Sequence, residues 1–216
     1  MQISHAIRER RSVRAFMPDP VPKQLVSDVL DLARWSPSWA NTQGWNVYAL
    51  TGPRLDELRA EMSSRASVAQ LPMTDLEMPG RQWPEYLQSR MSFPRRPAEM
   101  PESEGASAAQ PSIWEFYGAP WLLLLAIDRR LVTTYACFDT GLLVDTICLA
   151  AEDRGLGTCI MAMAVRFPEL LHRMIPAAAD KDFVVGVALG LPDLDALVNR
   201  TERERAPLDE IVTWVE

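Results

Sequence analysis

A chain of 216 residues, 48% apolar and 24% charged, is long enough to bury one core and has the composition of an ordinary globular protein. Its formal net charge of −7 excludes a nucleic-acid coat or a membrane-surface protein, both of which need a broad positive field. Three cysteines and two histidines without ligand spacing beside them argue against a disulfide framework, a metal site and a Ser/His/Asp triad.

The opening "MQISHAIRER" lacks the apolar stretch of a secretory signal, so a cytoplasmic location is expected. Residues 3 to 9 suit a short helix, and four arginines crowd its end: Arg8, Arg10, Arg11 and Arg14. Pro22 reads as the first position of a second helix. There Leu25, Val26, Val29, Leu30 and Ala33 make an amphipathic stripe, and Ser36-Pro37 closes the segment. A polar loop, "SPSWANTQGW", leads into the strand "NVYALTG", and "PRLDELRAEM" starts another helix. Between about 63 and 112 the periodicity weakens and seven of the seventeen prolines gather. This stretch is expected to be an insertion, as a lid with one or two short helices or as a plain loop. Trp83, Tyr86 and Trp114 are candidates for a substrate pocket.

"WLLLLAID" reads as a buried strand, because its apolar run is less than half the ~20 residues needed to span a bilayer. The strongest helix follows, roughly 134 to 154. Cys137, Gly141, Val144, Cys148 and Ala151 form one stripe, and Phe138, Leu142 and Leu149 thicken it. Such a helix is either core on several sides or also packed on a second subunit. Its cysteines are expected to serve packing. "GLGTCIMAMAV" and "DFVVGVALGLPD" are two more strands, and "EIVTWV" has the content of a last, possibly edge, strand. Strands and helices alternate irregularly, which predicts an α+β sandwich in a single domain over 1–216.

A second basic cluster, Arg200, Arg203 and Arg205, lies near the other chain end. Guanidinium groups suit phosphate oxygens, so converging arginines would bind an anion; the plainer reading is that Glu9, Glu202 and Glu204 neutralise them at the surface. "GLG" at 155–157 lacks the third glycine of a dinucleotide fingerprint and sits between a helix and a strand. The phosphate should belong to something smaller.

"RRSVRAF" (10–16), "SPSWANTQGW" (36–45), "GLGTCIMAM" (155–163) and "RTERERAPLDEIV" (200–212) together resemble the FMN-dependent nitroreductase family in order and spacing, over nearly the whole chain except about 63–112. "SPSWANTQGW" looks most similar to the branch that reduces nitroaromatic carboxylates. The resemblance implies a mixed, mostly antiparallel sheet packed with helices, in an intertwined homodimer with FMN at the subunit interface. Arg10, Arg203 and Arg205 match the phosphate-holding positions, Arg14 the basic position beside the pyrimidine edge, and Ser12 and Arg11 the ribityl and ring-edge positions. From the partner subunit, Pro37, Ser38, Trp39 and Asn41 match the loop that approaches the ring. Ala162 and Met163 match the strand whose backbone faces N5. One departure stands out: relatives also use a side-chain amide from the region rewritten here as the insertion, and no equivalent is assignable.

The implied activity is a ping-pong oxidoreductase: NAD(P)H gives hydride to flavin N5, then a nitroaromatic or quinone-like acceptor takes the electrons. No protein side chain is expected to do the chemistry beyond electrostatic support from Arg14. Alternatives are another reaction on the same flavoprotein (ene reduction, dehalogenation, oxygen-dependent flavin chemistry), a non-enzymatic FMN carrier, or a structural domain with surface arginines.

Overall fold

The computed structural model describes residues 2–67, 74–76, 83–91 and 112–216. Among them are six α-helices: α1 (Ile3–Glu9), α2 (Lys23–Ala33), α3 (Gly52–Ser67), α4 (Glu85–Met91), α5 (Thr133–Glu152) and α6 (Pro168–Met174). The strands are β1 (Trp45–Thr51), β2 (Trp121–Asp128), β3 (Gly157–Met161) and β4 (Lys181–Gly190), in the order β1-β2-β4-β3. All three ladders are antiparallel, and the sheet's parallel component is a single bridge between Ser12 and Thr158.

The unbroken apolar run of β2 has a simple cause. Side chains alternate across a strand, and here both faces are covered. Leu122, Leu124 and Ala126 enter a core with Leu55, Leu58 and Met62 of α3 and Leu170 and Leu171 of α6. Leu123 and Leu125 enter a second core with Val26, Val29 and Ala33 of α2 and Leu143, Val144 and Ile147 of α5. Each fully buried leucine contributes about 1.5–3 kcal/mol, which makes β2 the centre of the sandwich.

Several expectations need correction. Pro22 is the extended cap before α2 (φ −60°, ψ 140°), not its first helical residue, and its carbonyl accepts from Leu25 N–H at 3.0 Å. The buried face of α5 is Ala136, Asp139, Thr140, Leu143, Val144, Ile147, Cys148 and Ala151, so Gly141 lies off it and is exposed. Phe138 is 65% exposed, and Tyr135 and Trp39 beside it are exposed too. One chain covers only one of the helix's two apolar faces. The "EIVTWV" strand is absent: a short 3-10 turn at Leu208–Glu210 is followed by unpaired chain, with Ile211, Trp214 and Val215 exposed. The free edge of β3 is already occupied by residues 12 and 13, so the tail has no strand to join there.

Of the stretch expected to be an insertion, the residues up to Ser67 belong to α3. Within it, Asp75 accepts from the Phe183 N–H at 2.9 Å and faces His172 Nε2 at 3.2 Å, which docks that piece on β4 and α6. α4 is a short helix tied to the C-terminal turn by Arg90–Glu210 at 2.7 Å. Trp83 and Tyr86 are exposed, whereas Trp114 packs on Phe167 at the edge of the core. The rest of the insertion, where an amide partner for the flavin would be sought, lies outside the described residues. Cys148 and Cys159 are buried in the two cores while Cys137 is half-buried, and burial raises all three thiols, Cys148 to about 11, which is the reverse of an activated thiolate.

Candidate functional site

After α1 the chain runs along the edge of β3. Val13 N–H donates to the Thr158 carbonyl at 2.9 Å, next to the Ser12–Thr158 bridge. Gly157 permits this approach, since a Cβ there would come within 2.6 Å of Val13 Cγ2. On its other side the segment meets the chain beyond β4: Met17 N–H bonds the Leu191 carbonyl at 2.9 Å, and Asp193 N–H bonds the Ala15 carbonyl at 3.1 Å. The first arginine cluster is therefore held on both flanks by backbone.

Asn199 joins the two ends of the chain. It is buried, 5% exposed, and its Oδ1 accepts from Arg14 N–H at 2.7 Å. Its Nδ2 donates to the carbonyls of Ala15 and Asp193, both at 2.8 Å. Its own carbonyl accepts from Arg11 Nη1 at 2.9 Å. Arg203 adds a second link by donating to the carbonyls of Arg8 and Arg10 at the end of α1. There it meets the negative end of the helix as well as its unpaired carbonyls. Neither role was visible in the sequence, where Asn199 is one polar residue in a polar run and Arg203 reads only as a phosphate ligand.

The result is a cleft of about 120 Å³ lined by Arg10, Arg11, Ser12 and Arg14 from one end and Asn199, Arg203 and Arg205 from the other. The two clusters do meet. Carboxylates meet part of this charge: Arg11 reaches Glu9 at 3.9 Å and Arg200 pairs with Asp195 at 3.0 Å, while Arg203 donates to backbone carbonyls. Burial, and after it the like charge of Arg11, holds the Arg203 guanidinium below its ordinary value. Crowded guanidinium groups over a backbone-lined cleft form a donor set for a phosphate. Arg205 is exposed at the rim, bonded through Nη1 to the Glu204 carbonyl at 2.7 Å.

Ala162 and Met163 do not lie on a strand. β3 ends at Met161, paired with Gly186, and Ala162–Val165 form a 3-10 turn. The turn packs against β4 because residue 186 is glycine; a Cβ there would come within 2.5 Å of Ala164 Cβ. Ala162 is exposed, leaving its backbone approachable.

The loop of Pro37, Ser38, Trp39 and Asn41 lies elsewhere in the same chain. Trp39 N–H donates to both carboxylate oxygens of buried Asp139, at 3.1 and 3.0 Å, and its ring stacks on Tyr135. The Ser38 hydroxyl accepts from Gln43 N–H at 2.9 Å. Ala40, Asn41 and Gln43 all have left-handed backbone, at φ 49°, 58° and 48°. Such strain persists only where neighbours over-determine it, and it is common at ligand clamps. The loop is anchored at Asp139, whereas Glu152 at the far end of α5 faces Arg11, Arg203 and Arg10. Thirteen residues of helix separate those anchors, about 20 Å. Within one chain the loop and the arginine cleft are therefore separate.

Residues 7–191 match the model of the Nitroreductase family. The chain is 33% identical to a 4-nitrobenzoate reductase of Pseudomonas putida, across 93% of this chain and 90% of that protein. It is 30% identical to a chloronitrobenzene nitroreductase of Comamonas testosteroni, across 99% and 96%. The crystal structure of the FMN-dependent nitroreductase NfnB from Mycobacterium smegmatis in complex with NADPH superposes with a TM-score of 0.85, at 24% identity and over 100% of both chains. With the fold, the family model and two curated relatives in agreement, the chain belongs to the nitroreductase family.

Proposed function

We infer that this protein is an FMN-dependent oxidoreductase that uses NAD(P)H to reduce nitroaromatic acceptors. The reading rests on one observation: guanidinium groups from both chain ends face a single cleft of phosphate size beside β3. Family membership and the nitroaromatic substrates in the names of the two relatives support it.

FMN, when bound, supplies the hydride relay between the nicotinamide and the acceptor. The chain's own work is electrostatic and positional. Arg10, Arg203 and Arg205 grip the phosphate, and Arg11 and Ser12 border the ribityl chain. Arg14 sets a permanent cation at the pyrimidine edge, where negative charge develops on reduction, and unlike lysine it keeps its proton. The backbone of Ala162 and Met163 borders the ring, and small Ala162 leaves room for approach. Pro37, Ser38, Trp39 and Asn41 come from a second copy of the chain, which covers the exposed face of α5. Quinone-like acceptors fit the same mechanism, in which donor and acceptor occupy one place in turn. No dinucleotide fingerprint is needed for such a transient visitor.

Purified protein supplied with FMN is expected to oxidise NADH or NADPH when 4-nitrobenzoate is added, with initial rates that give parallel lines in double-reciprocal plots. Failure to oxidise either nucleotide with any nitroaromatic acceptor contradicts the proposal.

A further inference from the structure

The loop that follows α2 takes its conformation from α5. Its short 3-10 turn, Trp39–Asn41, opens on an N–H at Trp39 that the preceding serine would ordinarily cap. Ser38 makes no such bond, and its hydroxyl accepts from Gln43 N–H at 2.9 Å instead. The Trp39 N–H goes to α5, where the two oxygens of Asp139 lie 3.1 and 3.0 Å away. Asp139 is 5% exposed, and among the described residues that N–H is its hydrogen-bond partner. A carboxylate is costly to bury. One kept in place for a single backbone donor of a loop gives that loop a fixed pose.

Tyr135 stands one turn before Asp139, on the same side of the helix. Its ring stacks on the Trp39 indole, with centroids 5.8 Å apart and planes 21° from parallel. At the loop's entry the hydroxyl oxygens of Ser36 and Thr146 lie 2.8 Å apart. Helix α5 thus holds the loop backbone and the plane of the indole by separate contacts. The stacked pair is not core, since Trp39 is 62% and Tyr135 54% exposed. The same contacts sustain the left-handed backbone at Ala40, Asn41 and Gln43.

We propose that Asp139 and Tyr135 are positioning residues for Trp39. Asp139 holds the loop backbone, and Tyr135 sets the indole as a flat wall on which an aromatic acceptor stacks beside the flavin of the partner subunit. The inference rests on the flavin site proposed above, in which the loop of one copy approaches the ring held by the other. An indole of fixed plane selects planar acceptors, because aromatic attraction depends on the relative orientation of the rings.

Two dissociation constants test it: that of FMN for the apoprotein, and that of 4-nitrobenzoate for the oxidised holoenzyme, read from the flavin spectrum. Tyr135→Leu is expected to weaken 4-nitrobenzoate about fivefold and to hold FMN within about threefold. Tyr135→Phe keeps the ring and should restore the acceptor's affinity. Asp139→Leu is expected to weaken both ligands and, in FMN-free protein, to speed hydrogen exchange at the Trp39 amide by about tenfold or more. Asp139→Asn keeps an acceptor oxygen and should exchange much as the unaltered protein does. A merely structural role would not separate acceptor from FMN, nor ring from aliphatic chain. Unchanged 4-nitrobenzoate affinity in Tyr135→Leu, or an equal fall in Tyr135→Phe, overturns the assignment even where Asp139→Leu fails to fold. Those results in a protein that binds FMN leave the flavin site standing. An unaltered protein that takes up no FMN overturns the site and this inference together.

Discussion

Asn199 and Arg203 matter to the cleft by joining its halves, a different role from that of the residues at its rim. Removing the Asn199 amide leaves Arg14 N–H and the carbonyls of Ala15 and Asp193 without their partner in a buried position. Asn199→Ala should therefore lose about 2–3 kcal/mol of stability, read as a lower urea midpoint, together with FMN affinity. Arg205 allows a cleaner separation because it is exposed and holds no distant part of the chain. Arg205→Ala is expected to weaken FMN binding by about 1.5–3 kcal/mol with little change in thermal stability. Arg203→Ala should lower both, since that guanidinium also holds the carbonyls of Arg8 and Arg10. Equilibrium FMN titration beside a thermal melt distinguishes them, and unchanged FMN affinity in Arg205→Ala removes that residue from the site. At this scale the sequence is readable where residue type declares chemistry, as in the arginines. Asn199 and Asp139 escape it, because each acts through partners a hundred or more positions away.

Among the elements, α5 carries the most consequence. Its sheet-facing side is settled within the chain, while Tyr135, Phe138 and stacked Trp39 form an aromatic patch toward solvent. In the proposed assembly a second copy covers that patch and receives the loop of Pro37 to Asn41. Phe138→Asp should then give a monomer by sedimentation that no longer retains FMN; a variant that stays dimeric and yellow contradicts the arrangement. The helix itself was plain from composition, but its phase was not. Cysteine and glycine count as apolar on any face, so the expected stripe meets the buried side at Val144, Cys148 and Ala151 but leaves it at Cys137 and Gly141. The C-terminal "EIVTWV" failed for a related reason. Strand propensity measures fit to a half-buried pleated surface, and here the tail lies exposed and off the sheet. Ala162 and Met163 show the limit of reading strand ends from sequence, since register with β4 stops one residue earlier, at Met161.

For the whole molecule, an acidic chain keeps a positive cleft by sequestering arginines where its two ends meet. The sandwich was legible because β2 and the amphipathic helices obey simple periodicities. The meeting of the chain ends was legible only as two separated basic runs that each needed an explanation, and the linking hydrogen bonds belong to the folded state alone. The comparison that tests this most directly is the affinity of the purified protein for FMN against riboflavin, which has the same ring and ribityl chain without the phosphate. The account predicts FMN binding at least about a hundredfold tighter, about 2.7 kcal/mol, with the advantage shrinking as salt is raised. Equal affinity for the two, insensitive to salt, would contradict it.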